Sequence, residues 1–452
     1  MKYVFLFAIF TFLSIVPGFC QQPDSALRRV REQDVFARNP SGELQTLTAA
    51  EHLSRAETYS SNRLFPEARE HWSKLITNYP QDAGVPKALF GIARSFMWER
   101  QYEKAVEWFD RLIKDYAATK DGREGLAFKG ASYVRLSRFQ DAAKTYEQYI
   151  AMFPNGEKID SAHLNLIDAY REAGRFDDAE RWIETAVKTF ADTPTEVNAL
   201  QARVRMEIFR ERWKHAAMAA DSLLLITNFK GSMTTADEAR YMKALAIEKS
   251  GKKMEAETIY STVTPTSYFG MLVAMRGGRT DTAIKATEKA YTDNPIMFRT
   301  DVLRYAAAKK IDPRFLLAIM KQESVFKPGA KSPAGARGLL QLVYDTAIKY
   351  KDAAGFPALQ PDDLYKANVN IALGTEYVAA LHEEFDGMYE GIAASYNAGE
   401  DNAARWMKRT KPHDAGLFAA EIGFAETKNY VFKVMNNYRA YKALYSDKLE
   451  RK

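Results

Sequence analysis

"DPRFLLAIMKQESVFKPGAKSPAGARGLLQL", residues 312–342, decides how the C-terminal third of the chain is read. Asp312 can accept hydrogen bonds as an N-cap and Pro313 suits the first helical position, so a helix is expected over 312–323. Leu316, Ile319 and Met320 fall at i, i+3 and i+4 on one face, and Glu323 is the i+7 position of that apolar stripe. A carboxylate there meets two unfavourable influences, desolvation by apolar neighbours and the negative end of the helix dipole. Both raise its pKa, which is what a general acid working near neutral pH requires. Taken alone, the helix has a plainer reading: it frays at Gln322 and Glu323 reaches solvent.

The surroundings favour the chemical reading. Gly329, Gly335 and Gly338 follow within fifteen residues of Glu323, and glycines let a backbone turn tightly or approach a ligand closely. Gln341, with Leu340 and Leu342, is expected to open the next element. Further on, "ASYNAG" puts Tyr396 and Asn397 at a helix-to-turn boundary marked by Gly399, and "EIGFAETKNYV" supplies Glu421, Glu426, Lys428 and Tyr430.

Upstream, the chain repeats itself. Phe65/Ala68, Tyr102/Ala105, Phe139/Ala142, Phe176/Ala179 and Trp213/Ala216 each place an aromatic three residues before an alanine, at a constant spacing of 37. Tyr79, Tyr116, Phe153 and Phe190 follow in step, and Trp72, Phe109 and Tyr146 sit four residues after the alanine. A small alanine lets two helices approach closely while aromatics fill the groove between successive hairpins. The pattern resembles tetratricopeptide repeats, whose period is usually about 34. The aromatics read as core. Past Trp213 the register drifts, and residues 235–290 fit the repeat poorly. The repeats describe a scaffold with a concave binding surface, for glycan or for a protein partner, and name no ligand.

The bulk numbers set limits. A chain of 452 residues holds two or three domains. Its net charge of +6 is spread along the sequence among nearly as many acids, which does not suggest nucleic acid as a partner. Residues 1–20 carry Lys2, a short apolar run from Tyr3 to Val16, Pro17, and the small residues Gly18 and Cys20 at the −3 and −1 positions of a cleavage after Cys20; the run is shorter than the roughly 20 residues that span a bilayer. A signal peptide cleaved after Cys20 is expected, with lipid attachment at Cys20 the other reading. Residues 21–44 are expected as a flexible N-terminal segment. Cys20 is the sole cysteine, so a chain cleaved after it has no disulfide, cysteine nucleophile or thiolate metal site. The six histidines show no metal-ligand spacing, and there is no Walker, Rossmann or nucleophile-elbow pattern. Neither metal nor cofactor is expected.

Four separated motifs then agree in order and spacing with one family. Glu323-Ser324 with Phe326, "SPAGARGLLQL" (332–342), "ANVNIALGTEYVAAL" (367–381) and "SYNAG" (395–399), closed by Glu426-Thr427-Lys428 with Tyr430-Val431, resemble the catalytic domain of soluble lytic transglycosylases. The resemblance covers under a third of the chain. It implies an all-α protein: a TPR-like α-solenoid over 45–298, then a lysozyme-like, mainly α catalytic domain over 299–445. It also implies that Glu323 is the single catalytic acid/base, with Ser324, Leu340, Gln341, Tyr396, Asn397 and Glu426 as substrate-binding or supporting groups. Departures are Leu340 for methionine, Ser395 for alanine, Lys428 for arginine, Gly423 for proline, and a missing proline after Gln341. They touch substrate contacts and leave the acid in place.

Glycoside hydrolases commonly need two carboxylates, but a single acid suffices when the sugar's own N-acetyl group assists. The resemblance implies cleavage of the MurNAc–GlcNAc β-1,4 bond of peptidoglycan with closure of a 1,6-anhydro ring, in the periplasm or at the outer membrane. Two other readings stand beside it: a hydrolytic muramidase of the same fold, and a non-catalytic glycan-binding repeat scaffold.

Overall fold

The computed structural model describes residues 24–277 and 285–452. The expected signal peptide over 1–20, with Cys20, lies outside the described residues. Among those described, twenty-three α-helices and one short 3-10 helix carry the architecture, and the only β pairings are isolated bridges. An all-α fold is therefore what the chain adopts. No described helix is long and apolar enough to cross a membrane.

The chain divides into two compact units, Met1–Pro154 with Lys327–Leu373, and Asn155–Phe326 with Gly374–Lys452. The units cut across the division expected from sequence. Glu323 belongs to the second, while Leu340 and Gln341 belong to the first. Each unit combines repeat helices with part of the C-terminal third.

The repeat geometry explains the 37-residue period. Phe65, Tyr102, Phe139, Phe176 and Trp213 are each the first residue of a helix. Ala68, Ala105, Ala142, Ala179 and Ala216 are all completely buried, because a methyl group there is the largest side chain the close helix approach tolerates. Trp72 and Tyr146 press on glycines of the neighbouring helix: a Cβ built on Gly91 would stand 2.5 Å from the Trp72 ring, and one on Gly130 would stand 2.8 Å from that of Tyr146. Two residues before each aromatic, the turn passes through the left-handed region at Arg63, Arg100, Ser137, Gly174 and Glu211. There the following amide donates to a carbonyl five residues back, as Leu64 does to Tyr59 and Arg138 to Tyr133. This is the Schellman arrangement that closes a helix.

The repeat does not stop where the sequence register drifts. Helices Ala236–Lys249 and Lys253–Tyr260 form another hairpin, with Gly251 in the left-handed position, Lys253 where the aromatic stood, and Ala256 buried three residues on. The spacing from Ala216 is 40 rather than 37 because the loop between Leu224 and Ala236 is longer.

The expectation of a flexible segment over 21–44 is corrected from residue 24 onward. Ser25–Phe36 is a helix with Leu27 buried, and its Asp34 carboxylate is buried against the first repeat. Arg55 donates to Asp34 at 2.5 Å, Tyr59 at 2.7 Å, and His71 Nε2 lies 2.9 Å away. Burial alone would raise the Asp34 pKa, but these partners pull it down to about 2. Asp34, set beside Glu32 and Gln33 in an arginine-rich helix, gave no periodic signal that could reveal the docking.

Candidate active site

Helix Pro313–Ser324 begins as its sequence dictates, with the Asp312 side chain accepting from the Arg314 amide at 2.9 Å and Pro313 in the first turn. Leu316, Ile319 and Met320 are fully buried, so the stripe that ends on Glu323 faces the core. The helix then stops abruptly. Val325 and Phe326 both take positive φ, 49° and 60°, which is costly for a β-branched residue in particular. Ser324 is buried, and its hydroxyl donates to the Met320 carbonyl at 3.1 Å; what it offers directly is the fixing of this helix end.

Glu323 is partly buried, and its Oε1 accepts a 2.6 Å hydrogen bond from the Tyr430 hydroxyl. Desolvation pushes the carboxyl pKa up, the Tyr430 bond opposes that, and the charge of Glu426 adds to it; the outcome is about 7. Burial also raises the Glu426 pKa. Glu426 and Tyr430 share one face of helix Ala425–Leu444, four residues apart. Tyr396 lies in the last turn of the neighbouring helix Tyr389–Ala398, and its ring packs against Tyr377 with centroids 5.3 Å apart at a tilt of 39°. Burial and the Glu323 charge hold its hydroxyl well above the ordinary tyrosine range. Asn397 is exposed, its Oδ1 accepting from Thr427 at 2.6 Å, and Gly399 closes the helix at φ 85°. Glu323, Tyr396, Asn397 and Glu426 thus belong to one unit. Tyr430 and Thr427 are the supporting residues that sequence reasoning left out of the site, although the spacing of Tyr430 from Glu426 was the signal for the first.

In the other unit, the glycine segment is a compact loop rather than the start of an element. Bridges pair Lys331 with Arg337 and Arg337 with Leu342, and Gln341 sits in the turn between them at φ 45°. Its side-chain amide nitrogen donates to the carbonyls of Ala330 at 3.1 Å and Gly338 at 2.9 Å, which ties the side chain to the loop. Leu340 is completely buried, its amide donating to Asn370 Oδ1 at 2.8 Å; its side chain packs inside and supports the loop from within. Asn370 also donates to the Arg337 and Leu364 carbonyls. Gly338 has no alternative, since a Cβ there would stand 2.1 Å from the Leu364 oxygen. Arg337, fully buried, donates to Asp24 at 2.9 Å and Asn62 at 2.8 Å, and Arg63 holds Asp345 through two bonds of 3.0 and 2.7 Å. Among the described residues no cluster of three or more potential ligands could hold a metal ion.

A protonatable carboxyl at the end of a buried helix stripe, beside Tyr396 and Tyr430, is an arrangement that can give up and take back a proton near neutral pH. Residues 302–418 match the model of the transglycosylase SLT domain, and residues 53–120 and 133–204 match tetratricopeptide repeat models. The chain therefore carries an SLT domain behind tetratricopeptide repeats.

Among curated relatives, a soluble lytic murein transglycosylase of Escherichia coli is 33% identical over 155 residues, which are 33% of this chain and 23% of the relative. A putative soluble lytic murein transglycosylase of Haemophilus influenzae is 38% identical over 126 residues, 28% of this chain and 21% of the relative. The chain thus spans under a quarter of the length of these relatives. The crystal structure of an inactive glutamate-to-glutamine mutant of lytic transglycosylase Slt from Pseudomonas aeruginosa is similar in fold, with a TM-score of 0.50 at 16% identity, over 92% of this chain and 84% of that one.

Proposed function

We propose that the protein is a peptidoglycan lytic transglycosylase that cleaves the MurNAc–GlcNAc β-1,4 bond with Glu323 as its single acid/base. The observation that carries this reading is the Glu323 carboxyl, pushed up to about 7 by burial and the Glu426 charge while Tyr430 holds it in place. At neutral pH such a group exists in both forms, which suits an acid that must later act as base. The murein relatives matched over the SLT domain support the substrate class. Residues 299–445 form the catalytic module in this reading, and the periplasm is where its substrate is found.

Neutral Glu323 donates its proton to the glycosidic oxygen as the bond to the muramic acid anomeric carbon breaks, with the N-acetyl group of that sugar assisting. The resulting carboxylate then takes the proton from the same sugar's 6-hydroxyl, whose oxygen bonds to the anomeric carbon. Atoms balance without water, and the acid is regenerated. Tyr430 keeps one carboxyl oxygen occupied, which leaves the other for the substrate.

The test is incubation of the protein, and of Glu323→Gln, with purified peptidoglycan, followed by mass spectrometry of the released muropeptides. Anhydro-muramic ends from the native protein, absent with Glu323→Gln, are expected. Reducing ends would instead make it a hydrolytic muramidase. Binding without release would make it a glycan-binding scaffold.

A further inference from the structure

Within the second unit, the repeat helices carry polar groups where a solenoid ordinarily keeps apolar or solvated ones. Helix Pro194–Phe209 buries Asn198, Gln201, Arg205 and Glu207 along with its apolar residues. The position of Gln201 is Phe90, Ala127 and Leu164 in the three preceding repeats, so the repeat scaffold itself does not call for an amide there. Asn198 accepts from the Met233 amide and Glu207 pairs with Arg210 and Arg212, while Gln201 and Arg205 meet the segment 409–428 of the same chain. Gln201 Nε2 donates to the Ala420 carbonyl at 3.0 Å and to Glu238 Oε1 at 2.6 Å. Arg171, Arg205 and Arg409 converge on Glu421, which is completely buried, at 2.9, 3.0 and 2.8 Å. Tyr241 donates to Asp414 at 2.9 Å, and Gly416 lies so close to the Tyr241 ring that a Cβ would stand 2.4 Å away.

The last connection reaches the acid. Lys428 is buried, and its Nζ lies 3.0 Å from both oxygens of the completely buried Glu238. Lys428 is in the first turn of helix Ala425–Leu444, two residues before Tyr430. Residues two apart on a helix project about 200° from each other, so this turn is held by Glu238 on one side and bonded to Glu323 through Tyr430 on the other. Buried ion pairs add little net stability, because desolvation offsets most of the attraction, and their best-attested use is to specify one geometry.

We propose that Glu238 and Lys428 are positioning residues, through which the repeat helices set the place of Tyr430 against Glu323. The face of these repeats is then occupied in cis by the catalytic segment and forms part of the active-site framework, in place of a docking groove for a separate protein. The proposal rests on the reading of Glu323 as the acid, and its test includes a readout independent of turnover.

The groups that face Glu323 are Tyr430, Glu426 and Tyr396, and those that face Lys428 are Glu238, Arg205 and Glu421. Glu238→Gln keeps the volume and an acceptor but removes the charge that holds Lys428. The ionisation of Glu323 is to be followed by infrared titration of the protonated carboxyl band, with Glu323→Gln subtracted to isolate it, in the native protein, Tyr430→Phe and Glu238→Gln. Loss of the Tyr430 bond removes an interaction that favours the carboxylate, so both variants are expected to titrate Glu323 at higher pH, in the same direction. Muropeptide release is measured alongside, with kcat expected to fall about tenfold or more and KM to stay within about twofold.

Lys428→Arg keeps a cation opposite Glu238 and is expected to titrate Glu323 as the native protein does. Should Glu238→Gln fail to fold, the double variant Glu238→Gln/Lys428→Met leaves no unpaired buried charge and is read in the same way. An unmoved Glu323 titration in a folded variant overturns the proposal. So does a loss of release that only follows the loss of folded protein. If the native protein releases no muropeptide while the titration shifts as expected, the lytic reading fails and the positioning stands.

Discussion

The Tyr430 hydroxyl donates to Glu323 Oε1 across 2.6 Å, joining helix Ala425–Leu444 to the end of helix Pro313–Ser324. Sequence places these residues more than a hundred positions apart, and the pairing makes the tyrosine the main counterweight to burial at the acid.

Tyr430→Phe removes that counterweight without changing the ring. Hydrogen bonding to a carboxylate lowers its pKa, so its loss raises the Glu323 value above about 7. The alkaline limb of the kcat profile for muropeptide release should move to higher pH, and the maximum should fall by about ten- to a hundredfold. A profile that keeps its limb while losing amplitude would assign Tyr430 a packing role only.

The acid also burdens the fold. Its folded pKa, raised from 4.5 to about 7, means that the folded protein binds a proton more tightly than the unfolded chain does. The contribution is fully present below pH 4.5 and is lost as pH rises through 7, at up to about 3 kcal/mol. Glu323→Gln, which cannot ionise, should therefore melt higher than the native protein at pH 8, and the difference should vanish near pH 4. Calorimetry at the two pH values checks this. Equal melting temperatures at pH 8 would mean that the carboxyl is well solvated.

Gly338→Ala should be severely destabilising to the loop that holds Gln341. The new methyl would meet the Leu364 oxygen at 2.1 Å and Asn370 Nδ2 at 2.3 Å, at a φ of 78°. A cost above about 2 kcal/mol is expected from strain and displacement of the Asn370 bonds. Urea unfolding measures it, and hydrogen exchange should locate the loosening in residues 330–342.

Ser137 occupies the left-handed turn position at φ 56°, exposed to solvent, where its counterpart in the next repeat is Gly174. Ser137→Gly relieves about 1 kcal/mol of conformational strain, partly offset by the larger entropy of glycine in the unfolded chain. A gain of about 0.5 kcal/mol in urea unfolding is expected, with muropeptide release unchanged. The same exchange at Arg63 should lose stability instead, since that side chain holds Asp345.

Much was legible in the sequence because it is local. The 37-residue period marks helix starts and buried alanines directly, since each repeat solves the same packing problem with the same residues. The N-cap, the stripe Leu316–Ile319–Met320 and the breakers after Ser324 place Glu323 on a core-facing helix end by arithmetic on 3.6 residues per turn. Gly399 and Gly338 likewise announce backbone that no side chain permits. The sixth hairpin was hidden because a lysine replaced its aromatic and a longer loop shifted its register, although Gly251 and Ala256 retain the geometry.

Tertiary structure alone decided which groups meet. Nothing local links Tyr430 to Glu323, Asp34 to His71, Glu421 to its three arginines, or Glu238 to Lys428. These are single contacts between residues far apart in the chain, and a polar side chain carries no period that reveals its partner. Sequence determined that a poised carboxyl stands at the end of a buried stripe. Its neighbours, and hence its pKa of about 7, come from desolvation and charge supplied by helices that only folding brings beside it.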